Sequence, residues 1–217
     1  ARVNFTTGTR PAAVTMGDLD GDGKLDIAVA NETSNTISVF RNTSSGVGNI
    51  SFAAKIDFVT GTRPMAVSVG DFDKDGKTDL VAVNRNSSSI SVFRNTSSGV
   101  GNINYATKVD FTTGTGVQSV ATADFDNDGK LDVVVTNESD FTISIFRNTS
   151  SGAGNINYDT KVDFTTGPNP IWVATGDLDG DGKTDVAAVT SDNGSISLLR
   201  NTSSGVGNIN YDAMIEF

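Results

Sequence analysis

The chain has 217 residues, 16 basic and 26 acidic side chains, a formal net charge of −10, and neither histidine nor cysteine. These numbers exclude catalysis by imidazole or thiol groups and leave no basic stripe for nucleic acid. With 36% hydrophobic residues the chain can bury a core. It contains no apolar run near the roughly 18 residues that a membrane helix needs, so we expect no membrane insertion.

A short strand pattern opens the chain and recurs along it. Residues 2–8 alternate apolar and polar side chains and end on glycine, which is typical of a β-strand. Copies of this pattern follow at residues 55–61, 108–114 and 161–167, and a truncated fifth copy at 214–217 ends the chain. The sequence therefore predicts one strand of the same type at both ends.

Three further segments of each repeat predict strands. Residues 12–17 form the second strand pattern. Residues 25–30 are apolar on both faces after one aspartate, which predicts a strand inside a sheet that is covered on both sides. Residues 36–41 alternate again, and a turn-rich segment at 42–49 follows them. No segment combines a helical period with helix caps, so we predict an all-β fold.

An acidic loop joins the second and third of these strand patterns. Four carboxylates stand at relative positions 1, 3, 5 and 9 with glycine at position 6, and they would repel one another unless a cation lay between them. The glycine permits a sharp turn that aims the carbonyl of the following lysine inward. Carboxylate and carbonyl oxygens are typical calcium ligands, and magnesium resists shedding its waters into such an all-protein site.

The acidic loop recurs three times, with first aspartates 53 residues apart. The loops hold 16 of the 26 acidic residues, so the negative charge is local, and four calcium ions would bring the formal charge from −10 to −2. We predict about four Ca²⁺ ions, one per repeat, and each lysine would contribute its backbone carbonyl. The predicted ligands are Asp18, Asp20, Asp22, Lys24, Asp26, Asp71, Asp73, Asp75, Lys77, Asp79, Asp124, Asp126, Asp128, Lys130, Asp132, Asp177, Asp179, Asp181, Lys183 and Asp185.

Four strands in 53 residues match the unit of a propeller blade, and one such blade cannot cover both of its own faces. The order of inner strand, DxDxDGxxD loop, apolar strand and Ser-Ile-Ser-Val-Phe strand resembles the FG-GAP and VCBS-type repeat of integrin-α-like β-propellers. The resemblance implies a single β-propeller domain over residues 1–217 with four four-stranded blades and a calcium loop in each. Its repeats would span residues 2–54, 55–107, 108–160 and 161–213, with a partial closing strand at 214–217.

The resemblance leaves the assembly open. The chain could form a closed four-bladed ring with a spare strand, half of a ring completed by a second chain or by further sequence, or an excerpt of a longer array. We expect the closed ring. The duplicated end strand also suggests a head-to-tail join between chains. Trp172 stands where other repeats have alanine or serine, and we expect it to fill a gap near the ring axis.

These features predict an extracellular or cell-surface calcium-binding module with a structural, adhesive or assembly role and no enzymatic activity. Four near-identical sites are typical of structural metals, and loops of this kind suit the millimolar calcium outside cells. The expected partners are a protein or glycan on a cell surface or matrix, or further copies joined into a fibre through the terminal strands. Two alternatives are a carbohydrate-binding, lectin-like propeller that uses Trp172, and a non-catalytic domain of a larger secreted enzyme.

Overall fold

The computed structural model describes residues 3–217 and contains four antiparallel sheets of four strands, which we call blades 1 to 4. In each blade, strands that are consecutive in sequence are neighbours in space. Two 3₁₀ turns, Arg85–Ser87 and Glu138–Asp140, precede the third strands of blades 2 and 3. The strands are β1 (Pro11–Gly17), β2 (Asp26–Asn31), β3 (Thr36–Phe40) and β4 (Ile56–Val59) in blade 1; β5 (Pro64–Gly70), β6 (Asp79–Asn84), β7 (Ser89–Phe93) and β8 (Val109–Thr112) in blade 2; β9 (Val117–Ala123), β10 (Asp132–Asn137), β11 (Thr142–Phe146) and β12 (Val162–Thr165) in blade 3; and β13 (Pro170–Gly176), β14 (Asp185–Thr190), β15 (Ser195–Leu199) and β16 (Ile215–Glu216) in blade 4.

The second strand of a blade is its most buried element. All six residues of β6 and all six of β10 are buried, which confirms the prediction from their two-sided apolar pattern. Each of these strands lies between two antiparallel partners, and its two faces pack against the preceding and the following blade. The predicted all-β class is therefore confirmed.

Three apolar clusters hold the blades together, and each joins two consecutive blades. The first contains Ile37 of blade 1 with Leu80 and Phe93 of blade 2. The second joins blade 2 to blade 3 and includes Ile90, and the third joins blade 3 to blade 4 and includes Ile143. Each blade thus has a front face, which packs on the following blade, and a back face, which packs on the preceding one.

The outer faces of blades 1 and 4 are exposed. Val14, on the back face of blade 1, is 65% exposed, whereas its equivalent Val67 in blade 2 is 7% exposed. On the front face of blade 4, Ile196 is 45% exposed, while its equivalent Ile143 in blade 3 is fully buried. The four blades therefore form an open arc.

This arrangement shows that the expectation of a closed four-bladed ring is wrong. A closed ring would bury the front face of blade 4 against the back face of blade 1, and both faces carry exposed apolar side chains. Trp172 does not fill a gap at the axis, because its side chain is 61% exposed on the front face of blade 4.

The predicted opening strand also differs from the structure. Arg2 lies outside the described residues, and residues 3–7 form no strand. Later copies of this segment form β4, β8, β12 and β16, the fourth strand of each blade, by pairing with the third strand before them. Residues 3–7 follow no such strand, and Phe5 instead packs edge-on against Phe40 and Phe52, with ring centroids 6.2 and 5.3 Å away.

Candidate metal centres

Each predicted calcium loop connects the first and second strands of its blade. We call these segments loop 1 (residues 18–26), loop 2 (71–79), loop 3 (124–132) and loop 4 (177–185). The sixth residue of each loop is a glycine with φ between +80° and +83°, a conformation that glycine adopts without steric cost. The fourth residue is also left-handed, including Lys74 and Asn127 at φ of 58° and 57°. The glycine at position 6 predicted the first of these turns, whereas the sequence pattern did not predict the second, where two loops carry lysine or asparagine.

The first aspartate organises the loop from within. Its Oδ2 accepts a hydrogen bond from the backbone N–H of the sixth residue, as between Asp18 and Gly23 at 2.8 Å and between Asp71 and Gly76 at 2.9 Å. Loops 3 and 4 repeat this bond at 2.7 and 2.9 Å. A carboxylate at position 1 therefore closes the turn in all four copies.

The aspartate at position 9 connects the loop to the rest of its blade. Asp79 accepts hydrogen bonds from the backbone N–H groups of Phe72 and Asn95 at 2.9 and 2.7 Å. Asp26 does the same with Leu19 and Asn42 at 2.8 and 2.6 Å. These two buried carboxylates are thus fixed by two donors each.

Carboxylate oxygens converge in each loop. In every loop, one oxygen from each of three aspartates lies within 4.8 Å of the other two, so four acidic clusters could hold metal ions. The aspartates at positions 1 and 3 belong to the cluster in all four loops. The clusters are Asp18, Asp20 and Asp22; Asp71, Asp73 and Asp79; Asp124, Asp126 and Asp132; and Asp177, Asp179 and Asp185.

The other predicted ligands lie in the same loops outside these clusters. They are Asp26 in loop 1 and Asp75, Asp128 and Asp181 at position 5 of the later loops. The position-5 carboxylate accepts a hydrogen bond from the backbone N–H of the lysine two residues on, at 2.8 to 2.9 Å. The predicted roles of the carbonyls of Lys24, Lys77, Lys130 and Lys183 remain predictions.

Burial and mutual repulsion make the interior sites costly without a cation. Burial raises the pKa of Asp79 to about 7, and the nearby carboxylates of Asp73 and Asp75 add to the effect. Burial raises the pKa of Asp132 to about 7 in the same way and also raises the pKa of Asp26. A divalent cation would stabilise the charged form of all three groups.

Loops 1, 2 and 3 also contact the following blade, a contact that the sequence pattern did not predict. Asp20 accepts a 2.7 Å hydrogen bond from the backbone N–H of Gly101, and Asn95 donates from its side chain to the Leu19 carbonyl at 2.9 Å. The same two bonds recur from blade 3 to loop 2 and from blade 4 to loop 3. The sequence signal for this contact is the 53-residue recurrence of Asn-Thr-Ser-Ser-Gly, whose composition by itself predicts only turns.

Loop 4 lies at the end of the arc and has different surroundings. Within residues 3–217 no blade follows it, and Asp179 forms an ion pair with Arg200 of its own blade. Arg200 also lies 3.2 Å from the Asp181 carboxylate. The hydrogen bond from Arg200 holds the pKa of Asp179 below its usual value.

The model of one protein family, the FG-GAP-like repeat, matches the chain at residues 18–82, 71–135 and 127–188. No curated protein matches it. A protein of unknown function from Desulfotomaculum acetoxidans has a similar structure, with a TM-score of 0.59 and 17% identity over 95% of this chain and 61% of that one. No helix of residues 3–217 is long and apolar enough to cross a membrane.

Two further solved structures have the same fold. A candidate 6-phosphogluconolactonase from Bacteroides fragilis has a TM-score of 0.62 and 21% identity over 96% of this chain and 57% of that one. BBS1N, solved in complex with ARL6DN, has a TM-score of 0.58 and 17% identity over 96% and 57% of the two chains. The chain thus spans about three fifths of the length of these proteins.

Proposed function

This chain belongs to the FG-GAP-like repeat family, and we propose that it is an extracellular calcium-binding β-propeller module with a structural or adhesive role. In this proposal the four acidic loops bind Ca²⁺ and the module has no catalytic activity of its own. Its partners are a protein or glycan on a cell surface or matrix, or further copies of the chain.

The convergence of carboxylate oxygens carries the proposal. Three oxygens within 4.8 Å of one another in each of four loops form a hard, oxygen-only donor set. Calcium accepts six to eight such ligands in flexible geometry, whereas magnesium demands near-ideal octahedral coordination and keeps several waters. The repeated, strongly acidic loops therefore favour calcium.

A bound cation would stabilise the blade and its interface together. The carboxylate of Asp20 belongs to a cluster and accepts a hydrogen bond from Gly101 of blade 2, so an ion in loop 1 would fix a group that joins two blades. Loops 2 and 3 have equivalent bonds through Asp73 and Asp126. Metal binding is then coupled to the stability of the whole arc.

The absence of enzymatic activity is proposed from the side-chain inventory. The chain contains no histidine or cysteine, and the clustered carboxylates occupy four near-identical loops. Catalytic metals keep an open coordination position for water or substrate, and a set of repeated sites is typical of structural metals. An extracellular location supplies millimolar calcium, which suits loops with several surface-exposed ligands.

Calcium titration of the metal-free chain tests this function. We expect isothermal titration calorimetry to give about four ions per chain, and thermal unfolding to move to higher temperature with calcium and back with chelator. Asp71→Asn combined with Asp73→Asn should remove one ion. The matched control, Asp192→Asn with Asp212→Asn, changes the same charge outside the loops and should bind the full number. Binding of no calcium, or loss of an ion in the control alone, would contradict the proposal.

A further inference from the structure

The three interfaces between blades use one recurrent set of contacts. On the apolar side, the front face of one blade and the back face of the next share a core cluster, as Ile37 and Val67 do. On the polar side, an asparagine of the following blade donates to a loop carbonyl of the preceding blade, and a glycine N–H donates to the aspartate at position 3 of that loop. These pairs are Asn95 with Leu19, Asn148 with Phe72, Asn201 with Phe125, Gly101 with Asp20, Gly154 with Asp73, and Gly207 with Asp126.

The two ends of the arc carry the two separate halves of this interface. Exposed apolar side chains cover the back face of blade 1 and the front face of blade 4, at positions whose interior equivalents belong to the core clusters. Asn42 and Gly48 of blade 1 occupy the donor positions, and Leu178 and Asp179 of blade 4 occupy the acceptor positions. The exposed residues are Val14, Met16 and Ile50 on the back face and Trp172, Val189 and Ile196 on the front face.

A protruding leucine, which we call the knob, and a free space beside a glycine, which we call the hole, also lie at opposite ends of the arc. Between blades 2 and 3, a methyl group built on Gly70 would lie 2.7 Å from Cδ1 of Leu131, so the leucine occupies space that only glycine leaves free. Gly176 is the equivalent of Gly70 in blade 4, and nothing lies within 4 Å of a methyl group built there. Leu25, the equivalent of Leu131, is exposed on blade 1.

We infer that the front face of blade 4 binds the back face of blade 1 of a second copy of this chain, in the register that joins blades 2 and 3. Phe217 of the first copy, the equivalent of Phe111, then displaces Phe5 of the second copy from its edge-on contact with Phe52. Leu25 of the second copy then packs over Gly176 of the first. The contact is head-to-tail, so two copies form a closed eight-bladed ring if the rotation closes, and a growing chain if it does not. This inference goes beyond calcium binding, and its test measures the molar mass of the protein in solution instead of the number of bound calcium ions.

The second copy is favoured over a partner of different sequence because the chain already carries the complementary surface. A partner of different sequence would have to supply an aliphatic sheet face, a leucine at the Gly176 hole and amide donors at the acceptor positions of loop 4. Blade 1 presents all three in the spacing that the interior interfaces use. The docking surface is therefore a continuation of an interface that the chain repeats three times.

Molar mass in solution gives the first test. Light scattering after size exclusion, in calcium buffer and over a range of concentrations, should give a dimer of the 22.6 kDa chain or a concentration-dependent ladder. Either outcome supports head-to-tail association. A mass of 22.6 kDa at every concentration would overturn the inference, and is the result expected if a different protein or further sequence covers the two faces.

Variants on opposite faces then test the head-to-tail geometry. Val14→Asp with Met16→Asp changes only the back face, and Trp172→Asp with Ile196→Asp changes only the front face. Because each would bury a charge, we expect the apparent Kd of either variant to rise at least about 100-fold. The control Val59→Asp with Val109→Asp places the same charges on exposed outer strands and should associate normally. Circular dichroism checks that each variant is folded.

Mixing separates a head-to-tail contact from a symmetric one. An equimolar mixture of the back-face and front-face variants retains one intact interface, so it should form a 1:1 dimer although neither variant associates alone. If either variant alone still dimerises, or if the mixture stays monomeric while the wild type associates, the head-to-tail contact is refuted.

The knob and hole test the register. A methyl group built on Gly176 has no other atom of its chain within 4 Å, beyond its immediate neighbours. We therefore expect Gly176→Leu to fold and yet to block Leu25 of the second copy. We expect association to be lost in Gly176→Leu and recovered when Leu25→Gly is added to the same chain. Unchanged association of Gly176→Leu would overturn the register proposed here.

Discussion

Loop 2 in the interior of the arc and loop 4 at its end share one acidic motif but have different surroundings. Asp73 of loop 2 is buried and accepts a hydrogen bond from Gly154 of blade 3. Its equivalent in loop 4, Asp179, is exposed and paired with Arg200. Ile143 and Ile196 differ in the same way, buried in blade 3 and exposed in blade 4. The comparison shows that the neighbouring blade, and not the repeat itself, determines what each equivalent residue contributes.

Substitutions on the apolar faces should give the largest difference in the free energy of unfolding between the interior of the arc and its end. Ile143→Ala would leave a cavity in the cluster between blades 3 and 4, and we expect it to lower the free energy of unfolding by about 3 kcal/mol. Ile196→Ala removes an exposed side chain and should cost less than about 1 kcal/mol. Urea unfolding in calcium, at protein concentrations too low for association, measures both. Equal losses would mean that the front face of blade 4 is covered in solution.

The hydrogen bonds between blades should give the second-largest difference in the free energy of unfolding. Asn148→Ala removes the amide donor that lies 2.8 Å from the Phe72 carbonyl, in a buried bond, and 2.9 Å from the Leu131 carbonyl, in a partly buried one. Leaving these carbonyls without a donor should cost about 2 kcal/mol. Asn42→Ala, at the exposed end of blade 1, removes one donated bond, to the Leu25 carbonyl, and one bond accepted from the Ser44 N–H. The equivalent accepted bond is also lost in Asn148→Ala, so Asn42→Ala should cost less than half as much. The same urea titrations would contradict this ranking if Asn42→Ala were the more damaging change.

Substitution of the aspartate at position 3 should give a smaller difference in stability between loop 2 and loop 4. Asp73→Ala removes a predicted calcium ligand and the acceptor for the Gly154 N–H, so we expect the Tm in calcium to fall by about 5 °C. Asp179→Ala should give a smaller fall, because its carboxylate contacts an arginine at the surface. Thermal unfolding of both variants with and without chelator isolates the calcium-dependent part of each fall in Tm. Identical shifts would show that the contact between blades contributes nothing to loop 2.

The smallest effect concerns the arginine at the end of the arc. Arg200→Gln frees the carboxylates of Asp179 and Asp181, and we expect the calcium affinity of loop 4 to rise about twofold to fivefold at low salt. The gain should shrink at high ionic strength, since the ion pairs are exposed and screened. Calorimetry at two salt concentrations measures it. Weaker binding in the variant would indicate that Arg200 positions the loop.

Much of the local structure could be predicted from the sequence. The two-sided apolar pattern of residues 25–30 predicted the buried second strand, and the glycine at position 6 predicted a left-handed turn in the acidic loop. Both follow from chemistry within a few residues, namely side-chain alternation and the steric freedom of glycine. The 53-residue repetition then extended each local prediction to four blades.

Contacts over longer separations decided the rest. The segment at residues 3–7 has the pattern of β8 and β12 but forms no strand, since a strand also requires a partner. Ile143 and Ile196 occupy one position of the repeat, and only the packing of a following blade buries the first of them. The repeat thus determined the strands, the turns and the acidic loops, which depend on neighbouring residues. The tertiary structure alone decided that the arc is open and which of four equivalent sites connect two blades, because these depend on residues about 80 positions apart.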